Sequence, residues 1–251
     1  MNRNLLAFTL AGVLSFPLFG NEETKPLPDH EWTFEGATGT YDLASLQKGF
    51  QVYKQVCSAC HSLKRIHFRN LAALGYSEAE IKAIASEYEV TDGPNDLGEM
   101  FTRKGTPADA IPGPYANDNA ARAANNGALP PDLSLVVKGR KGGPDYIFAL
   151  LTGFENPPAG KHIPDGMHYN PYFPGSQIAM APPLSDGIVT YSDGTTPTVN
   201  QMAHDVVNFL TWAAEPEMPE RKQMGFKILM YLAVFTALMY FTMRRVWAKV
   251  K

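Results

Sequence analysis

The chain has two cysteines, three residues apart, with a histidine directly behind the second: Cys57, Cys60 and His61 in the stretch QVCSACHSLK. Two thiols and an imidazole at this spacing suit four chemistries, each with its own demand. A redox dithiol wants C-x-x-C at a helix N-terminus after a strand, within a βαβ unit, whereas the residues before Cys57 read as a helix running into the pair. A structural zinc site wants four ligands, and His67 is the only nearby addition. A disulfide closing a four-residue loop would be strained. Covalent attachment of a c-type haem wants C-x-x-C-H. The two thiols add across the porphyrin vinyl groups at one edge of the ring, and the next residue turns its imidazole onto the iron. The sequence favours this last reading, with Cys57 and Cys60 as thioether links and His61 as proximal ligand of one covalently bound haem c.

The sixth iron position separates electron transfer from ligand chemistry, because a Met thioether closes the iron and raises its potential while an open position permits binding or catalysis. Met1 lies at the N-terminus, and Met218, Met224, Met230, Met239 and Met243 lie in or beside an apolar C-terminal segment, which leaves Met100, Met167, Met180 and Met202. Met202 falls on the core face of a predicted helix, where simple packing explains it. Met180, in the Pro-containing loop GSQIAMAPPLSD, is the favoured distal ligand, with Met100 and Met167 as alternatives. His30, His162, His168 and His204 show no metal-like spacing, and the basic run KGRKGG reads as a solvated loop. No nucleophile elbow, Walker sequence or dinucleotide fingerprint is present.

The elements that must position these residues are mostly helices. In YDLASLQKGFQVYKQVC, Leu43, Leu46, Phe50 and Tyr53 recur at helical spacing behind Asp42 as N-cap, so a helix delivers the cysteine pair. YSEAEIKAIASEYEV opens on Ser77 and Glu80 in capping-box spacing and places Ile81, Ile84 and Tyr88 on one face. GPDYIFALLTG predicts a helix from Asp145 stopped by Gly153. TVNQMAHDVVNFLTWAAEPE pairs Thr198 with Gln201 in the same capping spacing and ends before Pro216. Residues 91–119 carry too much Gly, Pro, Asn and Asp for regular structure. GIVTYSDGTTPTV is the best hairpin candidate. The expected class is mainly α with long loops, and such loops are uncommon unless something rigid gives them a surface to pack on.

Both ends are apolar. Arg3 followed by an apolar run from Leu5 to Phe19 has the layout of an export signal, although Leu18 makes a poor cleavage site. Ile228 to Met243 is uncharged and mostly apolar, and counting from Met224 gives about 20 residues at roughly 1.5 Å each, close to the ~30 Å hydrocarbon core. Arg244, Arg245, Lys249 and Lys251 beyond it place the C-terminus in the cytoplasm by the positive-inside rule. The expected division is residues 1–20 as signal peptide, 21–217 as a periplasmic haem domain, and 218–251 as membrane anchor and cytoplasmic tail. Residues 21–217 hold 14 Lys and Arg against 24 Asp and Glu, which argues against nucleic acid and suits a cationic protein partner.

Together these stretches resemble the cytochrome c1 family. GFQVYKQVCSACHSLK, AARAANNGALPPDLS, GGPDYIFALLTGF, YNPYFPGSQIAMAPPL, DGTTPTVNQMAHDVVNFLTWAAEPE and RKQMGFK stand in the family's order over nearly all of the chain. The resemblance implies a class I c-type cytochrome core with long loop insertions plus one C-terminal transmembrane helix. It implies Met180 as distal ligand, Arg122 beside a haem propionate, and Asn125, Pro130 and Pro131 as walls of the haem site. It also implies a role inside the cytochrome bc1 complex, a quinol:cytochrome c oxidoreductase, with no catalytic centre of its own. One electron would come from the Rieske iron-sulfur protein and pass to a soluble cytochrome c, with cytochrome b and the lipid membrane as further partners in a dimeric complex. The chain lacks an additional cysteine pair found in some bacterial members, and it lacks a long Arg/Ser-rich presequence, which points to a bacterial inner membrane. Two other functions fit the haem motif: a free-standing membrane-tethered cytochrome c, and a haem enzyme or gas sensor with a vacant sixth position.

Overall fold

The computed structural model describes residues 25–191 and 193–250. The expected signal segment, residues 1–20, lies outside the described residues. The described chain is mainly helical. Helix α1 (Leu43–Gln55) starts where Asp42 accepts a hydrogen bond from the Ala44 amide at 3.0 Å. It buries Leu46, Phe50, Val52 and Tyr53, but Leu43, expected on the same face, is 53% exposed in the first turn. Helix α2 (Glu78–Ser86) has the capping box read from Ser77 and Glu80, with Glu80 accepting from the Ser77 amide at 2.7 Å. Short α3 (Asp118–Ala124) is capped by Asn117. Helix α4 (Gly143–Thr152) begins two residues before the expected Asp145, with Pro144 in its first turn. Helix α5 (Val199–Ala214) is capped by Thr198, although Gln201 turns its side chain to Asp205 at 3.0 Å instead of completing a box. Helix α6 (Met218–Trp247) follows directly.

The core lies where α1 crosses α5. Phe50 and Tyr53 meet the Phe209 ring at centroid distances of 5.6 and 5.8 Å, and Phe209 meets Trp212 at 5.7 Å. Gly49 permits the crossing, since a Cβ there would run into the Asp205 carbonyl oxygen and lie 2.6 Å from Phe209 Cβ. A polar knot sits inside this interface. Buried Asp205 accepts from Ser45 Oγ at 2.7 Å, Tyr191 OH at 3.1 Å and Gln201 Nε2 at 3.0 Å. Buried polar groups carry little cost when they are paired in this way.

Strands occur where the sequence did not announce them. β1 (Glu89–Asp92) pairs antiparallel with β2 (Phe101–Lys104), from Glu89 opposite Lys104 to Asp92 opposite Phe101. The Gly/Pro/Asn/Asp cluster between them is the turn of a hairpin, and Arg103 pins it by binding Asp92 and gripping both oxygens of Asp109 at 2.7 and 2.8 Å. The segment expected as a hairpin, GIVTYSDGTTPTV, shows no strand among its described residues. Among the described residues its arms meet once, Gly187 N to Pro197 O at 2.9 Å, and side chains of α1 hold it instead: Lys48 to Thr195 and Asp193, and Gln51 to the Thr190 carbonyl. Proline removes a ladder donor, and α1 supplies the missing partners. A second small antiparallel pair, β3 (His168–Tyr169) with β4 (Gln177–Ile178), lies in the loop before Met180.

Helix α6 is long enough to cross a bilayer, and its apolar residues are open to the surroundings: Phe226, Leu229, Tyr231 and Phe241 are each at least 65% exposed. Thirty residues at about 1.5 Å each exceed the ~30 Å hydrocarbon thickness. Its first residue, Met218, is buried in the body's core, so the helix grows out of the folded part.

Candidate haem-attachment site

Helix α1 runs into a single 3₁₀ turn, Cys57–Ala59, that carries the two cysteines. The Cys60 amide donates to Cys57 O at 3.1 Å and the His61 amide to the same oxygen at 2.9 Å. These two bonds to one carbonyl oxygen put both thiols and the imidazole on one tight turn. Both thiols are unpaired, Cys57 half-buried and Cys60 exposed. Burial, with the neighbouring Cys60 second, pushes the Cys57 thiol up to about 12, so it is held as the neutral SH.

His61 is fixed from two directions. Buried Tyr53 of α1 donates from its hydroxyl to the His61 carbonyl at 3.2 Å. The imidazole Nδ1 lies 2.8 Å from the Pro131 carbonyl oxygen. A carbonyl can only accept, so Nδ1 carries the proton and Nε2 keeps its lone pair. Burial lowers the His61 pKa, against the Pro131 bond and the Asp132 carboxylate, which both raise it. The neutral ring with a free Nε2 is the form that binds a metal, and an Nδ1–H···O=C bond is the usual outer partner of a ligating histidine.

Pro131 is in place because its loop is laced to the strip after His61. Leu133 N donates to Ser62 O at 2.9 Å, and Arg65 N to Ser134 Oγ at 3.1 Å. Asp132 is the hub: it accepts from Ser62 Oγ at 2.8 Å, Lys64 N at 2.9 Å and Ser134 N at 3.0 Å. Burial alone would raise its pKa, but these donors outweigh it and hold the carboxyl below its ordinary range. The roles of Asp132, Ser62 and Ser134 escaped the sequence reading, as did the bond from Tyr53, read there only as a core-face residue, to His61. The Asp-x-Ser step after Pro131 was the available signal, since Asp often closes a turn on the amide two residues on.

The other expected residues stand in two further groups. Arg122, exposed on α3, donates to Gly127 O at 3.1 Å, and Asn125 ends the same helix by donating to Ala121 O at 2.7 Å and Tyr115 OH at 3.0 Å. Pro130 is half-buried beside Leu129, which is 36% exposed. Met180 is half-buried two residues beyond Ile178 of β4. Its loop is tied down by fully buried Asn170, whose Nδ2 donates to Leu150 O of α4 at 2.8 Å and whose Oδ1 accepts from Tyr172 N at 3.1 Å. Gly153 lets this loop close on α4, since a Cβ there would sit 2.5 Å from the Tyr172 ring. Met202 is fully buried on α5, and Met100 is 62% exposed near the β1–β2 turn.

The donor set fits a c-type haem. Two free thiols one turn apart can take thioether bonds at one porphyrin edge, and an imidazole with Nε2 reserved can bind iron. Among the described residues no group of three or more His, Cys, Asp or Glu side chains converges as a metal site, which weighs against zinc at the cysteine pair.

Comparison with known proteins gives the same direction. Residues 32–250 match the Cytochrome C1 family. The chain is 53% identical over 242 residues to cytochrome c1 2, a mitochondrial heme protein of Arabidopsis thaliana, covering 94% of this chain and 79% of the relative. It is 46% identical over 267 residues to cytochrome c1 of Rhodospirillum rubrum, covering 100% and 98%. It is 49% identical over 250 residues to cytochrome b/c1 of Bradyrhizobium diazoefficiens, covering 91% and 36%.

Proposed function

The chain belongs to the cytochrome c1 family, and from that premise we propose that it carries single electrons in the bc1 oxidoreductase complex, from the Rieske iron-sulfur protein to a soluble cytochrome c. One covalently held haem c, when bound, supplies a one-electron iron couple, and the protein supplies binding and tuning. Cys57 and Cys60 would hold the porphyrin edge. His61 would bind the iron through Nε2, oriented by the Pro131 carbonyl. Met180, on the Asn170-pinned loop, would supply a soft thioether to the iron, which favours the reduced state. Arg122 would offer its guanidinium to a propionate. Asn125, Pro130 and Pro131 would border the ring. The observation that carries this reading is the 2.8 Å Nδ1 to Pro131 contact on a C-x-x-C-H turn, because it reserves Nε2 for iron.

The acidic body suits a basic electron acceptor through long-range steering, and α6 with Arg244, Arg245 and Lys249 behind it suits a bacterial inner membrane with the body on the periplasmic side. Cytochrome b is the neighbour within the membrane, in a dimeric complex. The test is purification from membranes followed by quinol-driven turnover. The chain should co-purify with a b-type cytochrome, and its haem should reduce on adding quinol. Electron transfer to a basic soluble cytochrome c should slow as salt rises. A chain that purifies alone and stays oxidised with quinol is a free-standing tether, and the proposal fails.

A further inference from the structure

A groove of about 340 Å³ lies where α6 leaves the body. Phe34, Val137 and Met218 contribute an apolar floor, and Lys138, Arg221, Lys222 and Glu215 form its polar rim. Glu215 is shared, accepting from Lys138 Nζ at 2.5 Å and from Arg221 Nη2 at 2.5 Å. Lys222 Nζ donates to the neutral carbonyls of Phe34 at 2.6 Å and Gly39 at 3.0 Å, and among the described residues no carboxylate lies within ion-pair distance of it. The lining carries three cations against one carboxylate, and Lys138 and Arg221 share that carboxylate. A half-buried ammonium held only by carbonyl dipoles remains short of a counter-charge, and one of its three N–H donors is unspent.

The height of the groove says what the anion is. If the apolar span starts at Met224, Arg221 and Lys222 lie two to three residues before it, which at roughly 1.5 Å per residue is about 3–5 Å outside the hydrocarbon edge. The polar headgroup layer is about 5–7 Å deep on each side. An apolar floor under a cationic rim at this depth is complementary to an amphiphile with a phosphate. We infer that the groove binds one anionic phospholipid, its phosphate oxygens on the Arg221 fork and the free Lys222 donor, and its glycerol and upper acyl atoms on Phe34 and Met218. None of the groove's lining residues is among those assigned to the haem, so the site stands apart from the electron-transfer reading.

The test uses the full haem-loaded chain in nanodiscs containing equal phosphatidylglycerol and phosphatidylcholine, released into mild detergent for native mass spectrometry. The wild type should retain one phosphatidylglycerol in at least tenfold excess over phosphatidylcholine. Arg221→Gln should lower that retention about tenfold, Lys222→Arg should keep it, and Lys82→Gln on α2 should leave it unchanged. Equal retention of the two lipids, or full retention by Arg221→Gln, overturns the inference. So does displacement of the lipid by millimolar inorganic phosphate, which would mark a free-anion site. Should Arg221→Gln not fold, a photoactivatable phosphatidylglycerol on the wild-type chain decides: cross-links in residues 34–39 and 218–222 support the site, and cross-links only elsewhere on α6 refute it.

Discussion

Replacing Gly49 with Ala pits local helix preference against packing. Ala is favoured over Gly in a helix interior by about 1 kcal/mol, so an open site would gain stability. Gly49 is not open. Its added methyl would lie 2.6 Å from Phe209 Cβ and 2.7 Å from the Asp205 carbonyl carbon, and would also meet the Asp205 carbonyl oxygen. Carbon pairs rest at about 3.5–4.0 Å, so α1 and α5 must separate by about 1 Å against α5's own backbone. Overpacking of this kind costs about 1–3 kcal/mol and more when backbone must move. The same move loosens Phe50 and Tyr53 from Phe209, and Tyr53 is the residue that holds the His61 carbonyl. With backbone in the way the upper end of that cost, about 3 kcal/mol, applies, and subtracting the helix gain leaves a loss of roughly 2 kcal/mol. Gly225 in α6 is the control, since nothing lies within 4 Å of a Cβ there. Guanidinium unfolding of the full chain in detergent, followed by haem absorbance, should show a midpoint lower by about 0.5 M for Gly49→Ala, taking a slope of about 4 kcal/mol per M. Gly225→Ala should not lower it, and the helix gain of about 1 kcal/mol would raise it by up to about 0.25 M. A Gly49→Ala protein as stable as the wild type would refute the claim that this crossing sets the helix delivering the cysteine pair.

Met180→Leu should lower the reduction potential and open the iron to CO while haem stays attached, whereas Met100→Leu and Met167→Leu should do neither; redox titration and CO difference spectra check this. Asp205→Ala removes the acceptor for Ser45, Tyr191 and Gln201 inside the α1–α5 interface, and should cost about 2–3 kcal/mol in the same unfolding assay. Asp132→Asn should destabilise at neutral pH. Because the folded pKa of Asp132 is depressed, its contribution is complete above the unfolded value of about 4 and disappears as pH falls through the folded one. The gap between variant and wild type should therefore close in unfolding curves measured below about pH 4.

The helices were legible because caps and periodicity are local: Asp42, Ser77 and Thr198 each accept the amide their position predicted. The C-x-x-C-H turn was legible for the same reason. What escaped depends on partners far along the chain. Arg103 makes a hairpin of a segment whose composition reads as loop, by reaching Asp92 and Asp109. Lys48 and Gln51 hold residues 187–197 by side-chain bonds, so an apparent hairpin needs no ladder. Asp132 became a hub only once Ser62 and Lys64 were beside it, about seventy positions away in the chain. Leu43 kept the helical period but stays exposed in the first turn of α1, where the contact with α5 is made by Ser45, bonded to Asp205 and Asn208.

A closed His61/Met180 haem is tested by a pyridine haemochrome assay and a CO-treated-reduced minus reduced optical spectrum on the purified, matured chain. One haem c per chain with no CO signal is the expected result. Haem c that binds CO readily would mean an accessible iron, and would contradict the assignment of Met180 and the electron-transfer role built on it.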